Sequence, residues 1–237
     1  MEYKSPELIE SYKTKVEEHW LTMFNPIIKY LGNIAGKRIL DVGCGSGDLA
    51  KRLSKNAGLV VGIDSSEEWV VHCKNAHHAK NLEFLCMNVR NLGKFGDGSF
   101  DIVIMNMVLP NVHRKSDVEK IFSEVGRVLK NSGELVFSDL HPVCLMTKKE
   151  GSREQKYSRN FSYFKNGAGF SAIVRLPNGR KIEFRNSHWS LGFYSDLLSR
   201  NSMLIKKIME SSYPDNAPKK FQRYPFPEYM TFCCKKI

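Results

Sequence analysis

Asp41-Val42-Gly43-Cys44-Gly45-Ser46-Gly47 places one carboxylate and three alternating glycines within a single turn of chain. The preceding run, Arg38-Ile-Leu-Asp-Val42, reads as a short apolar strand, so the glycines sit at its carboxyl end. Glycine there lets the backbone approach a ligand with no Cβ in the way. A dinucleotide fingerprint, G-x-G-x-x-G, would need its third glycine where Asp48 stands, and a carboxylate at that helix start opposes a pyrophosphate. The turn therefore suits a ligand without phosphates. Asp64 ends the next apolar run, Leu59-Val-Val-Gly-Ile63, where its two oxygens can hold a ribose diol.

Alternating strands and helices must hold these residues. Ser5-Pro6-Glu7 starts a helix whose Leu8, Tyr12, Val16 and Trp20 form one apolar stripe, and a second short helix follows at Pro26–Leu31. After the glycine turn come a helix from Leu49, the Leu59–Ile63 strand, and a helix capped by Ser66 with Glu67 and Glu68 in its first turn. Strands at Leu82–Met87, Phe100–Met105 and Gly133–Asp139 follow, with a helix at Val118–Leu129 before the last. Such βαβ units predict a mostly parallel sheet covered on both faces. From residue 141 the texture changes. Lys148–Lys165 is polar and mixed, while Gly169–Leu176 and Arg180–Trp189 flank a Pro177-Asn178-Gly179 turn and predict a β-hairpin. A helix at Tyr194–Arg200 and strands at Met203–Met209 and Tyr229–Lys235 complete the chain. The predicted class is α/β: a Rossmann-like, doubly wound, seven-stranded sheet, its last strand antiparallel, with an inserted hairpin lid. Four parts follow: a helical cap (1–35), the ligand-binding core (36–140), a basic lid (141–202) and the last two strands (203–237).

The net charge of +11 is unevenly placed. Residues 1–140 hold 18 Lys and Arg against 18 Asp and Glu; residues 141–237 hold 18 against 7. The second part is thus expected to face an acidic substrate or partner. No run approaches the roughly 18 apolar residues of a membrane helix, and the charged N-terminus lacks a signal-peptide core. The six cysteines form no C-x-x-C pair and several sit in apolar runs such as FLCM and TFCC. They read as small buried hydrophobes in a reducing compartment, with no disulfide framework and no metal site. A cytoplasmic protein without membrane contact is expected, as a monomer or homodimer.

The ordered runs RILDVGCGSGDLA, VGIDSS, MNVRNL, GDGSFDIVIMNMVL and RVLKNSGELVFSD, across about residues 36–140, resemble the class I S-adenosylmethionine-dependent methyltransferases. The resemblance implies that S-adenosylmethionine is the cofactor. Gly43, Gly45 and Gly47 would line its methionine and ribose part, Asp41 would support its amino group, and Asp64 would hold the ribose hydroxyls with Ser65 beside the adenine. Asn88 stands where the family often has Asp, and its carbonyl would accept from the adenine amino group; Val89 would supply a backbone N–H. Asn106 would lie beside the methionine moiety. Tyr12 either caps the cofactor or simply packs.

A hydroxyl methyl acceptor needs a base, for which histidine is suited. Ser138-Asp-Leu-His141-Pro142 leaves the fifth strand at the carboxyl edge of the sheet, where open α/β folds bind ligands. A His-Pro pair of this kind, a hairpin insertion and the ending MESSYPDNAPKKF resemble a small-molecule branch of the family. His141 is the expected pocket residue and base; His188, at the end of the hairpin, is the runner-up. Either could equally be structural, and His113, His77 and His78 read as surface. Asn106-Met107-Val108-Leu109 lacks the [DNS]-P-P-[YFW] motif that in this superfamily accompanies methylation of base amines or glutamine amides, and Asn106–Asn111 lacks the Cys of cytosine C5 chemistry. The expectation is methyl transfer to oxygen or nitrogen of a small, anionic molecule. Two alternatives stand beside it: an RNA-binding methyltransferase gripping phosphates through segments such as Lys219-Lys-Phe-Gln-Arg-Tyr224, and a catalytically silent binding protein of the same fold.

Overall fold

Alternating apolar residues along each strand give one sheet two buried faces. The structure, a computed structural model, describes residues 17–143, 153–157, 159–175, 179, 181–211, 213 and 226–237. The predicted start of an N-terminal helix at Ser5 and the Lys219–Tyr224 segment lie outside them. Seven strands, β1 (Arg38–Val42), β2 (Leu59–Asp64), β3 (Leu82–Cys86), β4 (Phe100–Asn106), β5 (Leu129–Leu140), β9 (Met203–Ser211) and β10 (Tyr229–Lys236), pair in the order β3-β2-β1-β4-β5-β10-β9. The first five are parallel, and β10 runs antiparallel to both of its neighbours. This is the doubly wound sheet the sequence predicts.

In β4, Ile102 and Ile104 face one core while Val103 and Met105 face the other. The first core is closed by α1 (Asn25–Leu31), α2 (Asp48–Leu53) and α3 (Glu67–Ala76). The second is closed by α4 (Lys115–Val128) and α5 (Leu191–Arg200), with Phe137 stacked on Phe232 at 4.7 Å and edge-on to Phe122. Each such buried ring contributes about 1.5–3 kcal/mol. The Ser66 cap of α3 forms as expected, accepting from the Trp69 N–H. Among the described residues, no helix is long and apolar enough to cross a membrane.

A second sheet, β6 (Arg153–Tyr157), β7 (Ala168–Arg175) and β8 (Lys181–His188), contains the predicted hairpin plus one strand that the sequence hid. REQKY carries no apolar alternation to mark it; among the described residues β6 lies at the edge of this sheet, paired with β7 alone. Trp189, fully buried, anchors this sheet by donating its indole N–H to the Leu109 carbonyl at 3.1 Å, and Phe170 packs with Met23, Leu140 and Tyr229. The helix expected at Tyr194 begins at Leu191, capped by Ser190. Cys86, expected to be buried, is exposed on edge strand β3; the described cysteines are all free.

Asp139 is buried on β5 and accepts from the Tyr194 hydroxyl and the Leu140 N–H. Burial pushes its carboxyl up to about 7. Tyr194→Phe leaves that oxygen without its side-chain donor, and should lower stability by about 1–3 kcal/mol in urea unfolding at pH 8. An unchanged midpoint would mean the pair contributes nothing.

Candidate active site

The carboxyl ends of β1, β2, β3 and β4 open onto a cavity of about 740 Å³, within the usual range for small-ligand sites. The glycine turn forms its floor. Gly43 and Cys44 donate their N–H groups to the Ile63 carbonyl at 2.7 and 3.0 Å, so the turn is tied to the end of β2. Gly43, Gly45 and Gly47 all have positive φ, which glycine adopts without a Cβ penalty. A Cβ on Gly43 would lie 2.7 Å from Val108. Gly43 and Gly45 line the cavity, whereas Gly47 caps α2. His77, read from sequence as surface, instead pins the turn: its Nε2 lies 2.8 Å from the Ser46 carbonyl. The signal missed was its place just beyond α3, which packs behind the turn through Cys73.

Asp41 and Asp64 both reach this floor. Asp41 is 2% exposed, and its Oδ2 has no hydrogen-bond partner among the described residues. Burial, then the nearby Asp64, push its carboxyl up to about 7. An orphaned buried carboxylate facing a cavity calls for a cation. Asp64 accepts from Gly45 N–H on one oxygen (3.1 Å) and from Ser66 N–H on the other (2.9 Å), leaving lone pairs on both. Burial raises its carboxyl, opposed by those backbone donors.

Ser65, Asn88, Val89 and Asn106 also line the cavity. Asn88 departs from expectation: its Oδ1 already accepts from the Arg90 backbone and Nε N–H groups at 3.0 and 3.1 Å, so its amide presents Nδ2 instead. Arg90 continues to Asp117 at 2.8 Å. Tyr12 lies outside the described residues.

Both histidines expected as bases fall outside the cavity wall among the described residues. The Val143 N–H donates to His141 Nδ1 at 3.1 Å, while His141 Nε2 donates to Glu210 at 2.9 Å, so no lone pair is left for a substrate. His188 is 3% exposed, packed against Phe161 and Tyr163, with Nε2 on the Tyr163 carbonyl. The wall instead includes His113, which is exposed, as the sequence reading expects, yet lines the cavity. His113 Nδ1 lies 2.8 Å from Ser187 Oγ across the two sheets. Nothing in the local sequence marks that pairing.

Residues 40–137 match the sequence family described as a methyltransferase domain. The chain carries a class I S-adenosylmethionine-dependent methyltransferase domain. Over 130 residues, this domain is similar at 38% identity to a Geobacillus protein that carries a methyltransferase name, covering 54% of this chain and 51% of that one. Over 129 residues it is similar at 32% identity to the ubiquinone biosynthesis O-methyltransferase of Coxiella burnetii, covering 51% and 53%. The chain thus spans about half the length of the curated relatives it matches. Among solved structures, an S-adenosylmethionine-dependent methyltransferase from Mesorhizobium loti shares the fold at TM-score 0.65 and 19% identity, over 89% of this chain and 96% of that one. The methyltransferase domain supplies the glycine turn and both carboxylates. Ala172, Ile182, Phe184 and Asn186 of the small sheet close the cavity from outside the matched segment.

Proposed function

We propose that this protein uses S-adenosylmethionine to methylate an oxygen or nitrogen of a small molecule held beneath the small sheet. The observation that carries the reading is one cavity walled by the glycine turn on one side and by uncharged residues of β7 and β8 on the other. The residues fit the cofactor. Asp41 has a vacant oxygen for its ammonium, Asp64 has lone pairs for its ribose diol, and the glycines leave room for its chain. When bound, S-adenosylmethionine supplies a methyl group activated by a sulfonium. The protein's own part is to orient the acceptor and exclude water beside it.

The basic charge of residues 141–237 stays out of this wall among the described residues: Ala172, Ile182, Phe184, Asn186 and Tyr229 carry none of it. Arg114 is the cation there without a described carboxylate partner, since Arg90 is taken by Asp117. An anionic substituent on the acceptor would meet Arg114.

Calorimetry with S-adenosylhomocysteine tests the reading. Saturable binding is expected, and Asp64→Ala should weaken it by about 10- to 100-fold, the worth of hydrogen bonds to a charged group. No binding by the wild-type protein would refute the cofactor assignment.

A further inference from the structure

We infer that the methyl acceptor is a phenol or enol, and that Nε2 of His113 takes its proton. The inference rests on the methyl-transfer reading and adds the acceptor's class.

His113 sits between the short helical turn Leu109–Asn111 and α4, on the segment that leaves β4. Two side chains of the small sheet's final stretch clamp this segment: Trp189 on the Leu109 carbonyl, and buried Ser187 on His113 Nδ1. One nitrogen of the exposed ring is thus tethered where the two walls of the cavity meet. His113 is assigned the tautomer whose Nδ1–H donates to Ser187 Oγ, which puts the lone pair on Nε2. Nε2 has no hydrogen-bond partner among the described residues, in contrast to both nitrogens of His141. Burial, and after it the Arg185 guanidinium on β8, hold the imidazole below its usual range, which keeps it neutral.

Acid strength selects the class. An ordinary imidazole at about 6.5 is about 3 to 4 units from a phenol at about 10. His113, held below that range, lies somewhat further off, a gap that positioning can bridge. An aliphatic alcohol, close to water at about 15.7, lies far beyond it. A neutral amine needs no such base.

A second contact also favours oxygen. Asn106 lines the cavity at the end of β4, and its Oδ1 accepts from the hydroxyl of fully buried Ser138. Its amide Nδ2 has no partner among the described residues, so the group it offers is a donor. A donor complements the lone pairs of a hydroxyl or phenolate oxygen and opposes the N–H of an amine. In the step itself, the acceptor's O–H proton passes to Nε2 and its bonding pair stays on oxygen. The imidazolium later returns the proton to solvent.

The probe is 4-nitrophenol, coloured only as its phenolate, added to protein loaded with S-adenosylhomocysteine. Calorimetry with S-adenosylhomocysteine alone comes first: failure there removes the methyl-transfer reading and this inference with it. Once it binds, saturable binding of nitrophenol is expected, with the bound phenol's pKa lowered by about one unit, a tenfold gain in phenolate. In ¹³C-histidine spectra the His113 signal should move toward the imidazolium position on the same titration. His113→Gln should keep S-adenosylhomocysteine binding and lose the colour shift. Absence of nitrophenol binding, an unmoved His113 signal, or an equal shift in His113→Gln would each overturn the inference while leaving the cofactor reading intact.

Discussion

Gly47→Ala is expected to lower the melting temperature by about 5–15 °C and to weaken S-adenosylhomocysteine binding. Gly47 caps α2 at φ +76°, in the left-handed region, where a Cβ costs about 1–2 kcal/mol. Its new methyl would also lie 2.8 Å from Cys73 Sγ, 2.9 Å from the Phe84 ring and 3.0 Å from His77. None of the three can withdraw easily. Cys73 is fully buried and bonded to the Gly45 carbonyl, Phe84 is core, and His77 is held by Ser46. Overpacking of this kind adds about 1–3 kcal/mol, and each kcal/mol moves the melting point of a domain this size by about 2–4 °C. Gly45→Ala is the matched control: φ is +50°, but its Cβ would meet open space. It should cost only the backbone term, about 1–2 kcal/mol. Equal melting points for the two variants would show that the contacts around Gly47 do not matter.

Asp41→Asn should stabilise the ligand-free protein at pH 8 and weaken its hold on the cofactor's ammonium. Burial first, and Asp64 second, raise the Asp41 carboxyl to about 7 in the folded chain, against about 3.9 unfolded. The sign follows from proton counts. The folded state binds the extra proton between those values, so this group's contribution is fully present below about pH 4 and is lost as pH rises through about 7. At about 1.4 kcal/mol per unit, the loss at pH 8 is on the order of 2–4 kcal/mol. Asn carries no charge to desolvate, so the variant should gain about that much at pH 8 and little at pH 4. Asp139, also pushed up to about 7 by burial, gives a slope of the same sign in both proteins, so the informative quantity is the difference between them. Ligand binding runs the other way: an ammonium needs the ionised carboxylate, so affinity for S-adenosylhomocysteine should rise from pH 6 to 8 in the wild type and flatten in Asp41→Asn. Denaturant midpoints and calorimetry at both pH values check this. A variant no more stable than wild type at pH 8 would mean that Asp41 is not the source of the slope.

The cofactor half of this protein was legible because its groups are local. Strand β1, the glycine turn and α2 follow one another without a break, and Asp64 stands at the end of the very next strand. Hydrophobic alternation read the sheet well for the same reason, and it failed at β6, whose run Arg153-Glu-Gln-Lys156 is polar throughout. Asn88 shows the limit of residue type alone: an amide has two ends, and Arg90 decides which one faces the cavity.

The histidines mark the boundary between the two kinds of knowledge. His141 stands at the carboxyl end of a central strand, yet Val143 and Glu210 occupy both of its nitrogens. His113 looked like a loop residue, yet it meets Ser187, 74 residues away, at the junction of the two sheets. By itself the sequence determined the sheet, the glycine turn and the paired carboxylates, because strand period and turn chemistry are set by neighbours along the chain. Only the tertiary structure decided which histidine lines the cavity, because that depends on what distant segments bring to the ring.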